Sequence, residues 1–220
     1  MTKEFFDIRI DDFISSLTKE ADEDIILLKK VAIENEVPII RDETKSFLRM
    51  ILSIKRPQKI LEIGTAIAYS TLVIHRAVPT ATIVTIEDFE RRIKEAKENI
   101  GKFINKDGKN IVTLIEDDAT NYLNKISGSE EFDFIFLDAA KAQYINWLPN
   151  IEKVLAKDGI LIADNIFKDG EILESKFLIK KRDRTIHKRM REFLHEINNN
   201  KSFETYQYNI GDGISVSIKK

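Results

Sequence analysis

A strand-like segment of the sequence ends in a cluster of reactive side chains. The stretch FDFIFLDAAKAQY (132–144) opens as an apolar run, changes character at Asp138 and places Lys141 three residues later. Ligand sites of α/β proteins lie where the strands end. A carboxylate there can bind a cation, and an ammonium beside a cation is pushed towards losing its proton, which suits a general base. The alternatives are that Asp138 caps a helix and that Lys141 faces solvent.

A second strand-like segment supplies two more oxygen donors. The run ILIAD (160–164) ends at Asp164, and Asn165 follows it. If this strand lies beside the one that ends at Asp138, three oxygen-bearing side chains converge at the carboxyl edge of the sheet. Hard cations such as Mg²⁺ take such ligands and leave water or substrate to complete the shell. The chain has no cysteine and its three histidines are scattered, so a soft-metal site is not expected.

A glycine-containing loop and an acid predict a cofactor. The stretch LEIGTAIAYS (61–70) runs from a strand into a loop and a helix, and Gly64 stands where the backbone turns sharply beside a ligand. Glu87 ends the next strand, where an acid can accept hydrogen bonds from two ribose hydroxyls. Ala66 and Ala68 replace the later glycines of dinucleotide-binding loops, so an adenosine cofactor without a pyrophosphate fits better. The alternative is a tight turn and a solvated strand end.

The hydrophobic pattern places these residues on an α/β domain. Helical patterns alternate with five strand-like runs, at 59–63, 81–87, 111–116, 132–138 and 160–164. Such alternation is typical of a parallel sheet covered on both faces. At the end of the chain, FETYQYNI and GISVSIKK flank Gly211-Asp212-Gly213 and predict an antiparallel hairpin. Asp158-Gly159 predicts a turn before the fifth strand, and amphipathic helical patterns occupy residues 4–35 and 44–54.

Composition narrows the class of protein. The 220 residues carry a formal net charge of -2, with 43% hydrophobic and 33% charged residues, which is typical of one globular domain. No stretch approaches the roughly 20 apolar residues of a membrane span, and MTKEFFDIRIDDF lacks a signal-type apolar run. We expect a cytoplasmic protein with one domain over 1–220, with N-terminal helices in 1–56 and a cofactor-binding core in 57–220.

One segment departs from the nearly neutral total charge. Between residues 176 and 191, Asp183 is the only acid among eight basic residues, which are Lys176, Lys180, Lys181, Arg182, Arg184, Lys188, Arg189 and Arg191. Such a cluster can contact nucleic-acid phosphates. The alternative is a solvated helix face. Small phenols need no basic patch, so the cluster favours an RNA substrate.

The motifs, in order, resemble those of the cation-dependent O-methyltransferases related to catechol and caffeoyl-CoA O-methyltransferases. The matching stretches are LEIGTAIAYS, VTIEDFERRIKEAKENI, EDDAT, FDFIFLDAAKAQY, GILIADNIFKDG and GDGISVSIKK. The likeness runs from about Val37 to the C-terminus, and KKRDRTIHKRMREFL (180–194) is similar to the bacterial branch that methylates tRNA wobble 5-hydroxyuridine. The resemblance implies a class I methyltransferase fold: a Rossmann-like three-layer α/β sandwich with a seven-stranded, mostly parallel sheet and an antiparallel last strand.

The resemblance also implies roles for individual residues. Those implied to bind S-adenosylmethionine (SAM) are Glu62, Gly64 and Ser70 at the methionine part, Glu87 at the ribose, Asp118 and Ala119 at the adenine, and Asp138 near the amino group. Those implied to bind Mg²⁺ or Mn²⁺ are Asp138, Asp164 and Asn165, and Lys141 is the implied base. Ala68 stands where the family often has glycine. A homodimer is implied as well.

Together these observations predict cation-dependent methyl transfer from SAM to a hydroxyl. The favoured acceptor is 5-hydroxyuridine at the tRNA wobble position, giving 5-methoxyuridine, with the tRNA held through Lys180, Lys181, Arg182, Arg184, Lys188 and Arg189. A small catechol-like phenol is the alternative acceptor. Two other classes are an NAD-dependent oxidoreductase and a non-catalytic SAM- or RNA-binding module. The presence of the three oxygen donors and the absence of the later loop glycines argue against the oxidoreductase. The intact donor set together with Lys141 argues against the non-catalytic module.

Overall fold

The computed structural model of the chain describes residues 10, 13–14, 16–17, 20–106, 110–167, 170–175 and 177–220. Its helices are α1 (Glu23–Glu34), α2 (Asp42–Lys55), α3 (Tyr69–Ala77), α4 (Glu90–Phe103), α5 (Ala119–Ile126), α6 (Tyr144–Val154) and α7 (Arg184–Asn199). Its strands are β1 (Lys59–Ile63), β2 (Thr82–Glu87), β3 (Val112–Glu116), β4 (Phe132–Leu137), β5 (Leu155–Asp164), β6 (Phe203–Tyr208) and β7 (Ile214–Lys219). The first helical pattern, before α1, falls largely outside the described residues.

The strands form one mixed sheet with the order β3-β2-β1-β4-β5-β7-β6. The five strands β1 to β5 run parallel, and β7 pairs antiparallel with both β5 and β6. The predicted α/β class with an antiparallel last strand is therefore confirmed. Strand order reverses at β1, whose neighbours are β2 and β4, so the carboxyl ends of β1, β4 and β5 lie side by side. This edge is where a doubly wound sheet places its ligand site.

Two hydrophobic layers cover the sheet. Helices α1 to α4 bury one layer, represented by Ile25, Leu48 and Leu72, against one face. Helices α5 to α7 bury the other layer, which includes Ile151 and Phe193, against the opposite face. These layers are the helical faces that the apolar spacing predicted. None of the helices within the described ranges is long and apolar enough to cross a bilayer.

The start of β5 differs from the prediction. Asp158-Gly159 does not form a turn ahead of the strand, because β5 already begins at Leu155 and contains an irregularity. The register moves from Phe132 opposite Leu155 to Phe134 opposite Ile160, so extra residues bulge out of β5. A side chain at Gly159 would approach the Ala156 carbonyl oxygen to 2.6 Å. The glycine thus serves a bulge, which local turn chemistry could not distinguish from a turn.

The loop between β1 and α3 adopts left-handed backbone at three alternating positions. Gly64 has φ +103°, and a Cβ there would lie 2.1 Å from the carbonyl oxygen of Asp138. Ala66 and Ala68 have φ 47° and 67°. Alanine in this region of the backbone map is strained by roughly 1–2 kcal/mol. The loop therefore keeps a glycine-rich conformation although two of its three left-handed residues are alanines.

Replacing Ala68 by glycine should relieve this strain. Ala68 and Ala96 are both buried, but Ala96 lies inside α4, where glycine costs about 1 kcal/mol of helix stability. Ala68→Gly should therefore destabilise the protein by roughly 1–2 kcal/mol less than the matched variant Ala96→Gly. The measurement is the free energy of unfolding in urea for both variants. Equal losses would show that the alanine at position 68 carries no strain.

Candidate functional site

The predicted oxygen donors meet at the carboxyl edge of the sheet. Strands β4 and β5 are neighbours, with Leu137 opposite Ala163, so Asp138 and Asp164 end adjacent strands. The Asn165 side-chain amide donates to Asp138 Oδ1 at 3.2 Å. The hard-cation site was predicted on the condition that these two strands are neighbours, and they are.

Lys141 lies against the same carboxylate. Its Nζ is 2.6 Å from Asp138 Oδ1 and 3.0 Å from the Tyr144 hydroxyl. Burial alone would lower the pKa of Lys141, but the electrostatic influence of Tyr144 and Asp138 outweighs it and raises this pKa well above its usual range. Lys141 is thus an ammonium that forms a partly buried ion pair with Asp138.

Tyr144 connects the elements of the site, and no role for it was predicted. Its hydroxyl accepts hydrogen bonds from the Ala139 amide at 3.2 Å and from Lys141. It can donate to the carbonyl oxygen of Leu137 at 3.1 Å or to that of Asp164 at 3.4 Å. Burial raises the pKa of this phenol to about 12, so it stays a neutral donor. This hydroxyl thus contacts the proposed base and the chain after β4, and it lies within reach of the last residue of β5. The spacing of three residues between Lys141 and Tyr144 was the one sign of this contact in the sequence.

Asp164 is a buried carboxylate, only 1% exposed. Burial and the nearby Asp138 carboxylate raise its pKa to about 6, although Lys141 and the Asn165 amide counteract them. Oδ1 of Asp164 accepts from the Asn165 backbone at 2.8 Å and from the Thr44 hydroxyl at 3.5 Å. Thr44 belongs to α2 and was not predicted. Through it the N-terminal helices reach the site.

The donor set combines two carboxylates with one amide. Within the described ranges, no group of three or more His, Cys, Asp or Glu side chains could hold a metal ion. A cation at this edge would therefore need the Asn165 amide oxygen beside Asp138 and Asp164. Asn165 has φ 57°, a left-handed conformation that asparagine tolerates better than most residues. That conformation carries the chain out of β5 at the position where the site requires an oxygen donor.

A cleft of about 330 Å³ opens beside these residues. It is lined by Val37, Pro38, Ile39, Ile40, Gly64, Thr65, Ala66, Tyr69, Ser70, Arg92, Asp138, Ala139, Lys141 and Asn165. The structure thus brings Gly64, Ser70 and Asp138 of the predicted cofactor residues together with Lys141 and Asn165. No sequence motif pointed to a role for the 37–40 wall or for Tyr69, whose buried hydroxyl has no hydrogen-bond partner among the described residues.

Three other predicted cofactor residues do not line this cleft. The Glu87 carboxylate accepts from the backbone amides of Ala66 at 2.8 Å and Phe89 at 3.1 Å, and so fastens the loop to the end of β2. Asp118 caps α5, and Ala119 is the first residue of that helix. Their contacts with ribose and adenine remain predictions, as do the cofactor and cation roles of the residues at the cleft.

Glu62, the fourth of these residues, is fully buried beneath the loop. The hydroxyls of Thr71 and Thr85 donate to its Oε2, while its Oε1 has no partner among the described residues. Burial raises the pKa of Glu62 to about 7. The hydroxyl donors lower this pKa in part, and the Asp138 charge raises it further. The side chain therefore supports the loop from below and does not reach the cleft.

The buried Glu62 should make stability depend on pH. The folded protein holds this proton more tightly than the unfolded chain, so the contribution is present below about pH 4.5 and is lost as the pH rises to about 7. Glu62→Gln should therefore gain roughly 2–4 kcal/mol relative to wild type between pH 4.5 and 8. Urea unfolding at several pH values measures this gain, with the exposed Glu98→Gln as control. A pH-independent difference would contradict the assignment.

Comparison with known proteins identifies the family. A family model described as O-methyltransferase matches residues 17–220. Caffeoyl-CoA O-methyltransferase of Populus kitakamiensis is 30% identical over 176 residues, 77% of this chain and 73% of that protein. Catechol O-methyltransferase of Niastella koreensis is 27% identical over 168 residues, 75% of this chain and 76% of that protein.

Solved structures show the same fold. An O-methyltransferase from Bacillus cereus, in complex with SAH, superposes with a TM-score of 0.82 at 23% identity and covers 96% of this chain and 97% of its own. TomG from Streptomyces achromogenes, in complex with SAM, gives a TM-score of 0.81 at 20% identity with full coverage of both chains. The chain described here belongs to the O-methyltransferase family, as its motifs predicted.

Proposed function

We propose that this enzyme transfers the methyl group of SAM to a hydroxyl held beside a divalent cation, and that the hydroxyl is that of 5-hydroxyuridine in tRNA. The observation that carries the first part is the convergence of Asp138, Asp164 and Asn165 next to the cleft. Family membership decides against the oxidoreductase alternative. The tRNA acceptor has separate support in the eight basic residues between positions 176 and 191, which we call the basic segment.

The residues at the strand ends fit a hard cation. Two carboxylates and an amide oxygen are oxygen donors of the kind that Mg²⁺ and Mn²⁺ take. The raised pKa of Asp164 reflects a buried negative charge beside a second carboxylate, and the Lys141 ammonium, the ion-pair partner of Asp138, acts in the opposite direction. When bound, a divalent cation would lower the pKa of the acceptor hydroxyl.

Lys141 is the residue best placed to take the proton. Lys141 lines the cleft, and Asp138 and Tyr144 hold its Nζ. Tyr144 and Asp138 raise the pKa of Lys141 and keep it an ammonium. Lys141 would therefore first have to release its own proton to solvent, once Asp138 was drawn away from it, and only the resulting amine could accept the proton of the acceptor. The proposed base thus depends on the proposed cation ligand. The acceptor oxygen then forms a bond to the methyl carbon, the carbon–sulfur bond breaks, and the acceptor's proton ends on Lys141.

The cleft fits the methionine part of SAM. Its walls combine the left-handed loop at Gly64 with the apolar 37–40 segment and the Asp138 carboxylate, which can face an amino group. Glu87 keeps acceptor capacity for ribose hydroxyls although each of its oxygens already accepts one backbone amide. Two proteins of the same fold were solved with SAH or SAM, which supports this choice of donor.

Removing the cation should stop methyl transfer. Asp164→Asn keeps the size of the side chain but removes a charge, so we expect activity to fall at least about tenfold. Stability should be retained, because the substitution also removes a buried carboxylate with a raised pKa. The measurement is transfer from labelled SAM in EDTA and after adding Mg²⁺ or Mn²⁺. As control, Asp133→Asn at the opposite edge of the sheet should behave like wild type. Full wild-type activity in excess EDTA would refute the cation.

The basic segment supports an RNA acceptor, but its members differ in the structure. Arg184 and Arg189 donate to backbone carbonyl oxygens, so part of this charge serves the fold. Lys180 and Lys181 are exposed, as is the Lys188 side chain at 77%. Exposed Phe177 and Leu178 directly precede Ile179 and these lysines. Basic residues interleaved with an exposed aromatic ring suit single-stranded RNA, which offers phosphates and unstacked bases.

Neutralising two of the exposed lysines should weaken tRNA binding. Lys180→Gln with Lys181→Gln should lower the slope of log affinity against log salt by roughly 1 to 2 and raise the KM for tRNA. The KM for SAM should not change, because the cleft lies on other elements. The matched control is Lys153→Gln with Lys157→Gln, two exposed lysines near the amino-terminal end of β5.

Three outcomes separate the acceptors. Methylation of tRNA carrying 5-hydroxyuridine, detected by nucleoside mass spectrometry and impaired in the first pair only, supports the proposal. Equal tRNA binding in both pairs would remove the basic segment from the substrate site. Methylation of a catechol with no tRNA binding at low salt would replace the RNA acceptor by a small phenol. The homodimer, the cytoplasmic location and the division at residue 57 remain predictions.

A further inference from the structure

Helix α7 forms a wall of the site that the proposed chemistry does not use. Its residues Ile186, His187 and Met190 line a small cavity together with Lys141 and Asn165. Phe193, one turn further on, packs edge-on against the Tyr144 ring with centroids 5.5 Å apart. The apolar side of α7 therefore touches the residues that hold the proposed base. Next to this apolar side, Arg189 and Arg191 of α7 donate to backbone carbonyl oxygens of two neighbouring segments.

Arg189 ties α7 to the turn that carries Lys141. Its Nη1 donates to the carbonyl oxygen of Ala142 at 3.1 Å. Ala142 is the central residue of the single 3₁₀ turn Lys141–Gln143, which follows the end of β4. Such a turn has poorer internal hydrogen bonds than an α-helix, and this one contributes the Gln143 amide to the Ala140 carbonyl at 2.8 Å. Arg189 therefore adds a charged donor from α7 to the bonds that Asp138 and Tyr144 make with Lys141 in this turn.

Arg191 and His187 tie α7 to the second segment that borders the site. Arg191 Nη1 donates to the Ile172 carbonyl oxygen at 3.0 Å, and His187 Nε2 lies 3.1 Å from the Glu174 carbonyl oxygen. Residues 171–174 follow the strand end that carries Asn165, and Ile172 lines the small cavity with Lys141. Two arginines on one helix therefore hold the turn that contains the proposed base and the 171–174 segment that borders the same small cavity.

We propose that Arg189 and Arg191 are positioning residues that act as a clamp, fixing the Lys141 turn and the 171–174 segment in their active geometry. This inference rests on the proposed function, in which Lys141 is the base. Guanidinium groups suit the task because they stay charged and offer several donors in a fixed plane. A displacement of about 1 Å can cost a hundredfold in rate, so small shifts of the turn would matter.

The clamp gives the basic segment two separable roles. Arg189 and Arg191 point at backbone carbonyl oxygens, whereas Lys188, between His187 and Arg189, is exposed and pairs only loosely with Glu192 at 3.6 Å. Removing the Lys188 charge should therefore lower the methylation rate of an RNA acceptor alone. Removing the Arg189 guanidinium should lower the methylation rate of every acceptor.

Hydrogen–deuterium exchange followed by mass spectrometry tests the clamp without any substrate. In the 220-residue chain, Arg189→Met should speed exchange in peptides covering 138–144 by roughly five- to tenfold, with 170–175 less affected. Arg191→Met should show the reverse pattern. Lys188→Met, the matched control, should change neither segment. Arg189→Lys keeps a charged donor on a long side chain and should restore much of the protection.

Kinetics provide the second readout. With either tRNA or a catechol as acceptor, Arg189→Met should lower kcat roughly ten- to a hundredfold while the KM for SAM stays unchanged. Wild-type exchange in 138–144 for a folded Arg189→Met, or equal loosening of all segments, would overturn the clamp. Should the methionine variant not fold, Arg189→Gln replaces it under the same criteria. If wild type methylates no acceptor, the proposed function fails, yet the exchange pattern still decides on the clamp.

Discussion

The close approach of Gly64 to the backbone of Asp138 is the contact on which the site depends. The central strands β1 and β4 stay paired to their ends, where the Asp138 amide donates to the Ile63 carbonyl at 3.0 Å. Only glycine leaves room there for the Asp138 carbonyl oxygen. This contact brings the cofactor loop and the proposed cation ligand within reach of one another. Any side chain at position 64 would push the loop after β1 away from the end of β4.

Acid side chains surround that contact and set the electrostatics of the site. Glu62 lies beneath the loop, Asp138 and Asp164 lie at the strand ends, and Lys141 is the ammonium paired with Asp138. Burial raises the pKa values of Glu62 and Asp164, which shows that the fold tolerates these carboxylates at a cost. Oxygen donors of this kind suit the divalent cation that we propose for this edge of the sheet.

Local sequence patterns predicted the elements well, and predicted their long-range partners poorly. The strand KILEI was assigned with its observed ends because a short apolar run is bounded by Pro57 and by the Gly64 loop. The carboxyl-edge donors followed from parallel topology, which places successive strand ends together. The hydrogen bond from the Thr44 hydroxyl to Asp164 joins residues 120 positions apart. The hydrogen bond from Arg189 to Ala142 joins residues 47 positions apart. No spacing rule links such residues, so only the packed structure could show them.

The contact of Thr44 with Asp164 changes how the N-terminal helices should be understood. Thr44 Oγ1 also lies under the hairpin, where a Cβ on Gly211 would approach it to 2.6 Å. The residues 37–40 before this helix form one wall of the cleft. A chain that began at β1 would lack the 37–40 wall of the cleft, and it would also expose the face of the sheet that α1 and α2 cover. The N-terminal segment is therefore a structural part of the cleft as well as of the core, and the sheet alone does not form the candidate site.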